Sequence, residues 1–477
     1  MASDKTLNAK NLAALGAERL ANLLLELAGG DAAAKRRLRL ELASRSGGDD
    51  VAAEIRKRLV TIAKAKSFVD WHKVRALAKD LETQRAAIMK HVAPTRPIDA
   101  LDLLWRLLEA APSIYERCDD SNGTIGDIMD DALDNLGEVA PAANLAAEKL
   151  VDRVFVAVCA NNYAQFDGLI EVMADALGKA GLGLLKAKFE ALSSAPPARA
   201  KGQERRVIAI SSRGPIYEDD YAGARHVRMV RSALTEIADA LGDVDGYAAR
   251  FSELEQGNPA IAADIAARLL AAGRAQESMA ALAKAEAESE KGRRWPDWEK
   301  VRIDTLEALG RSAEAQDERW AIFERDLSAD YLKAYLKRLP DFDDEEAENR
   351  ALVHVRRYAG FHEALAFLIN WQAHSVAGEL ILERYGELDG DHYWLLTQAA
   401  DALDQCHPLA ATLVLRAMID FALDKARSKR YGHAARHLQT CEYLSKRINT
   451  YAGHPGHEAY LANLKLRHSR KTAFWNA

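Results

Sequence analysis

Apolar residues recur along this chain at intervals of three and four, the period of one buried helix face. Leu12, Leu15, Leu20, Leu23, Leu24 and Leu27 mark such a face between Asn11 and Ala28, and Gly29-Gly30 stops it. Asp31 is placed to cap a second helix running to about Ser44. A third starts after Gly47-Gly48-Asp49-Asp50, with Ile55, Leu59 and Ile62 on one side, and a fourth spans Trp71 to Val92 before Pro94 and Pro97. A helix from about Ile98 to Cys118 follows, then the loop Cys118–Gly123, then a helix carrying Asp127, Asp130, Asp131 and Asp134. Further helices run from about Asn144 to Leu192, with a break expected at the Gly-rich Gly178–Gly183. Ser193 to Gly223 collects Pro196-Pro197, Gly202 and Gly214-Pro215 and reads as a linker. Within it Val207–Ile210 has strand character but no evident neighbour to pair with. Helices resume from Arg225.

One phrase repeats. Leu269-Leu270-Ala271-Ala272-Gly273-Arg274-Ala275-Gln276-Glu277 returns as Leu306-Glu307-Ala308-Leu309-Gly310-Arg311-Ser312-Ala313-Glu314, so Leu, Gly, Arg and Glu keep their offsets. A Gly closing one helix and an Arg-x-x-Glu opening the next spell a helix-turn-helix unit. Such a unit buries its apolar face only by stacking on neighbours. The repeat occupies about 258–338, and Gly360–Leu365 and Tyr431–Ala435 look like further, irregularly spaced units. The expected fold is therefore all-α: an N-terminal helical bundle followed by an irregular TPR/HEAT-like α-solenoid. Its expected divisions are a basic N-terminal bundle (1–95), an acidic helical region (96–195), a linker (196–224), a TPR-like repeat region (225–424) and a basic C-terminal cap (425–477).

Composition agrees with helix: aromatics are 7% and prolines number 12, too little turn chemistry for an all-β chain. No signal peptide is read at the N-terminus. The most apolar run, Leu409–Leu423, contains Arg416 and Asp420 and reads as a buried helix, so no membrane is expected as a partner. Cys118, Cys159, Cys406 and Cys441 are scattered without paired spacing, as free thiols in a cytoplasmic protein would be. The net charge of -6 conceals an uneven distribution. Residues 1–96 hold 19 Lys and Arg against 11 Asp and Glu, and residues 425–477 hold 11 against 2. Basic ends either pair with the acidic middle or form a footprint for a polyanion.

The loop Glu116–Gly123, the phrases Tyr335–Asp344 and His407–Thr412, and the ending Arg470–Trp475 resemble an uncharacterised bacterial family of helical proteins of about this length. The C-terminal third also looks like the helical tail of SWIM-type zinc-finger proteins, although the Cys-x-Cys and Cys-x-His pairs of the SWIM finger are missing. The resemblance implies a helical fold and lends no activity.

Three constellations carry candidate chemistry. Cys118, Asp119, Asp120, Ser121 and Asn122 place carboxylates, a hydroxyl and an amide between two helices, where they bind a cation or basic peptide or simply cap the next helix. An EF-hand register fails, because Ile125 and Asp131 stand where Gly and Glu are required. His433, His437 and Cys441 share one helix face as a weak metal candidate, with the thiol a turn too far for easy convergence. Arg467, Arg470 and Lys471, in a C-terminal segment rich in cations and tyrosines, either contact phosphates or form a solvated or salt-bridged cap of the solenoid. No cofactor is expected, and no nucleophile elbow, Walker loop or His-Glu-x-x-His motif is legible. The leading expectation is a non-enzymatic scaffold for a protein or peptide partner. The alternative is a nucleic-acid-binding protein using the basic ends, and the third a hydrolase or nuclease using the acids around Asp119–Asp131.

Overall fold

The computed structural model describes residues 6–194, 206–211, 214–285 and 294–477. Most of them are helical, and the only strands among them are Val207–Ser211 and Gly214–Tyr217. The chain forms two compact units, Met1–Ala272 and Gly273–Ala477. No described helix is long and apolar enough to cross a membrane.

The first unit is a helical bundle. Asp31 caps Ala32–Ser46 by accepting the amides of Ala33 (2.7 Å) and Ala34 (3.2 Å). Gly48–Lys64 buries Val51, Ile55, Leu59 and Ile62, and Pro97 opens the helix Pro97–Glu109 at the position where its missing N–H costs nothing. That helix packs along Thr124–Ala143, and its Trp105 lies fully buried in a core that continues to Leu234 and Ile237. Arg36, Arg56 and Arg58 of the first helices meet acids within this unit. Asp80, only 7% exposed, accepts from Arg58 (2.5 and 2.9 Å) and pairs with Arg36 (3.3 Å).

Four local expectations need correction. Asn11–Ala28 is broken, because Gly16 takes φ 81° between Ala9–Ala13 and Ala17–Ala28. The helix expected to reach Cys118 ends at Glu109, and Pro112 lies in a separate short turn, Ala111–Tyr115. The strand Val207–Ser211 does have a partner, pairing antiparallel with Gly214–Tyr217. Helix resumes at Glu218, before Arg225. The expected break at Gly178 is present, with φ 60° and ψ 178°. Pro196-Pro197 and Gly202 lie outside the described residues.

The second unit stacks successive helices on one another, and several of them also touch the next but one. Asp343–Arg357 packs on Phe361–Asn370 and on His374–Glu383; Phe361–Asn370 packs on Tyr393–Leu403; His374–Glu383 packs on Pro408–Asp424. This is the contact pattern of an α-solenoid. The repeated phrase is structural: Gly273 and Gly310 both adopt positive φ (76° and 74°), and Leu269 and Leu306 are both buried. The conserved offsets of Arg and Glu have a cause as well. Arg274 grips Glu277 through two bonds (2.7 and 2.5 Å), and Arg311 grips Glu314 the same way (2.6 Å each). The repeat also includes a proline at the first helical position, Pro259 and Pro296, which opens two helices of 13 residues each. At the C-terminus Phe474 is 2% exposed and lies edge-on to Tyr431, while the Trp475 indole donates to the His468 carbonyl (2.9 Å).

Candidate functional site

In the first unit, the loop before Thr124–Ala143 is ordered by its own acids. Asp120 accepts the amides of Ile125 (3.0 Å) and Gly126 (2.9 Å), so it caps a helix that has no cap from Gly123 itself. Gly123 takes φ 71°, which turns the chain so that Asp120 can reach forward. Asp119 accepts from the Ser121 amide (3.0 Å) and also from the Ser121 hydroxyl. Those bonds hold the exposed Asp119 carboxyl below its ordinary range. Cys118 is half-buried, and burial followed by the nearby Asp120 charge pushes its thiol up. The start of the loop is anchored from outside: the Val69 amide donates to the Arg117 carbonyl (2.7 Å), and buried Arg117 donates to the Ile62 carbonyl (3.3 Å).

This anchoring brings the loop against the start of helix Trp71–Ala87. Trp71, His72, Val74 and Arg75 face Asp119, Ser121, Asn122 and Thr124 across a cleft of about 500 Å³. Trp71 is 69% exposed and the nearby Phe68 is 73% exposed. Sequence reading found the loop but missed this aromatic wall. The signal was available in Phe68 and Trp71 flanking a short non-helical segment; what brings that segment to Cys118 is a backbone bridge that no local pattern announces. Asp130, raised by partial burial and by Asp127, Asp134, Asp131 and Asp167, belongs to the following acidic helix, where Asp131 pairs with Arg85 (3.3 Å).

The other sequence candidates lie in the second unit. Cys441 is fully buried, its sulfur 3.8 Å from the Thr412 carbonyl, and burial pushes its thiol up to about 12. It therefore points into the core, whereas His433 is exposed and His437 half-buried beside a separate cavity. Among the described residues no group of three His, Cys, Asp or Glu is arranged to hold a metal. Of the terminal cations, Arg467 bonds Asp420 (2.8 Å) and Asp424 (3.4 Å), and Lys471 bonds the Leu423 carbonyl and Tyr431 hydroxyl. Arg470 is exposed.

Comparison with known proteins adds a family. No curated protein matches the chain. A solved structure described as a circular tandem repeat protein with novel repeat topology and enhanced subunit contact surfaces aligns over 96% of this chain and 94% of its own, at 12% identity and a TM-score of 0.11. The model of a family of unknown function, DUF6880, matches residues 2–477, and the chain belongs to that family.

Proposed function

We propose that this protein is a non-enzymatic helical scaffold that binds a protein or peptide partner through the cleft between Trp71 and the Asp119–Asn122 loop. The observation that carries this reading is the placement of exposed Trp71 across an open cleft from an ordered, hydrogen-bonding loop, with exposed Phe68 three residues away in the chain. Large aromatic anchors beside satisfied polar groups are the composition of an interface hot spot. Asp119 stays ionised and exposed, and with Asn122 it offers acceptors to a peptide backbone or a basic side chain. The nucleic-acid alternative relies on the basic ends; at the C-terminal one, Arg467 and Lys471 are already held by Asp420, Asp424 and Leu423, and at the N-terminal one Arg36 and Arg58 are held by Asp80. That engagement favours the peptide reading.

The test is affinity capture from nuclease-treated cytoplasm with the wild-type chain and with Trp71→Ala. The expected result is a partner retained by the wild type, lost with the variant, and insensitive to salt between about 50 and 200 mM. Retention of the same proteins by both forms refutes the cleft. Binding that disappears with nuclease, or falls steeply over that salt range, favours the polyanion alternative.

A further inference from the structure

A second cavity, in the second unit, has no role in the peptide reading. We infer that it is a binding site for a small phosphate monoester carrying a flat apolar body. The cavity, about 270 Å³, is lined by Gly390, Tyr393, Thr397, Met418, Ala422, Lys429, Arg430, His433, Ala434 and His437, none of them acidic. It lies just below the ~300–1,000 Å³ typical of ligand pockets, so only a small ligand fits. That is room for one ring and one phosphoryl group.

The two halves of the lining differ in chemistry. Met418, Ala422 and Ala434 are buried and give an apolar floor, and Tyr393 adds an aromatic wall. The basic part of the lining, Lys429, Arg430, His433 and His437, comes from one short stretch at the start of helix Tyr431–Ser445. Arg430 is fixed there by Asp391 (2.7 Å) and lies over the Tyr393 ring (4.7 Å). Lys429 has no hydrogen bond or ion pair among the described residues, so its ammonium is available to a ligand. Arg436, which can only donate, bonds Nδ1 of His433 (3.0 Å), so the neutral imidazole carries its proton on Nε2. His433 thus offers an N–H donor one helical turn before His437. That helix has no side-chain cap at its N-terminus, and its dipole adds to the same positive field. His437 registers this environment: burial first, then His433 and Arg436, hold it below its ordinary value, opposed by Asp401.

A phosphate monoester fits this arrangement better than a simple carboxylate. It carries close to two negative charges at neutral pH and three strong acceptor oxygens. Lys429 supplies a point charge and His433 a directed donor, and the ester's body lies on Tyr393 and Met418.

The test is calorimetric titration of the full-length protein with phenyl phosphate, and separately with inorganic phosphate, at fixed ionic strength. One phenyl phosphate per chain is expected, with inorganic phosphate weaker because it lacks the ring. Lys429→Gln and His433→Ala each remove one charged or hydrogen-bonding contact from a side chain on the cavity lining. Each is expected to weaken binding about tenfold, equal to ~1.4 kcal/mol, with an unchanged melting temperature. Absence of saturable binding, or equal affinity in wild type and both variants, overturns the site. Inorganic phosphate binding as tightly as phenyl phosphate overturns the apolar half of the assignment.

Discussion

Replacing Gly310 by Ala isolates the cost of a left-handed backbone from every other cost. Gly310 has φ 74°, and a Cβ built there meets nothing within 4 Å. Gly273 presents the same conditions at φ 76°. No steric clash contributes at either position, so the penalty is conformational. An L-residue in this region costs about 1–2 kcal/mol. The alanine also narrows the unfolded ensemble, which returns about 0.4–1 kcal/mol. The net expectation is a loss of about 1 kcal/mol for either Gly→Ala, and more for Val, whose branched Cβ tolerates positive φ worst. Gly310 also closes its helix: the Arg311 amide donates to the Leu306 carbonyl (2.9 Å), the long-range bond of a Schellman turn. Gly183 is the control. It lies within the helix Ala174–Ser194 with no positive φ and open space around its Cβ, so Gly183→Ala should stabilise by about 0.5–1 kcal/mol. Urea unfolding followed by far-UV circular dichroism measures both changes, with the two units fitted as separate transitions where they separate. If Gly310→Ala and Gly273→Ala were as stable as wild type while Gly183→Ala was stabilised, neither repeat glycine would hold a left-handed turn.

Three further outcomes are expected. Asp120→Ala removes the acceptor for the Ile125 and Gly126 amides and should cost about 1–2 kcal/mol; unchanged hydrogen-exchange protection of those amides would contradict this. Phe474→Ala, at a 2% exposed position, should destabilise the second unit by about 3 kcal/mol, and a melting curve identical to wild type would show the ring to be unpacked. His362 accepts the Asp389 amide at Nε2 (3.2 Å) and stacks on His392 at 4.1 Å. Burial and then His392 lower its pKa, against Asp389, Glu363 and Glu387, which raise it. The unfolded chain therefore takes up the proton first. Stability from this contact is complete above about pH 6.5 and declines as pH falls below it. The melting-temperature gap between wild type and His362→Gln should narrow from pH 8 to pH 5, and a constant gap would refute the assignment.

What could be read in advance was whatever local chemistry writes. The Asp31 cap, the Gly178 break, the Gly273 and Gly310 turns and the buried stripe Ile55–Leu59–Ile62 all follow from residues within one or two turns of each other. Gly16 was misjudged because the leucine periodicity on either side runs through it, and only its φ of 81° shows the interruption. Long-range pairing was illegible. That Arg467 would be salt-bridged was foreseeable, but not that Asp420 and Asp424 would be its partners, and Cys441, a turn too far for easy metal convergence, gives its sulfur to the core. The cationic pocket was half visible: His433 and His437 stood out, but their companions Tyr393 and Met418 come from two other helices.

The terminal docking of Phe474 bears on how the second unit comes apart. Because the helices there lean mainly on near neighbours along the chain, opening is cheapest at an end and grows dearer with every pair released. Phe474 and Lys471 hold the last helices to Tyr431 and Leu423, so they act as the latch on a row that otherwise frays from its tail. A protease given access to that tail would trim inward by steps, and the length of the surviving fragment would report how many helix pairs had stayed shut.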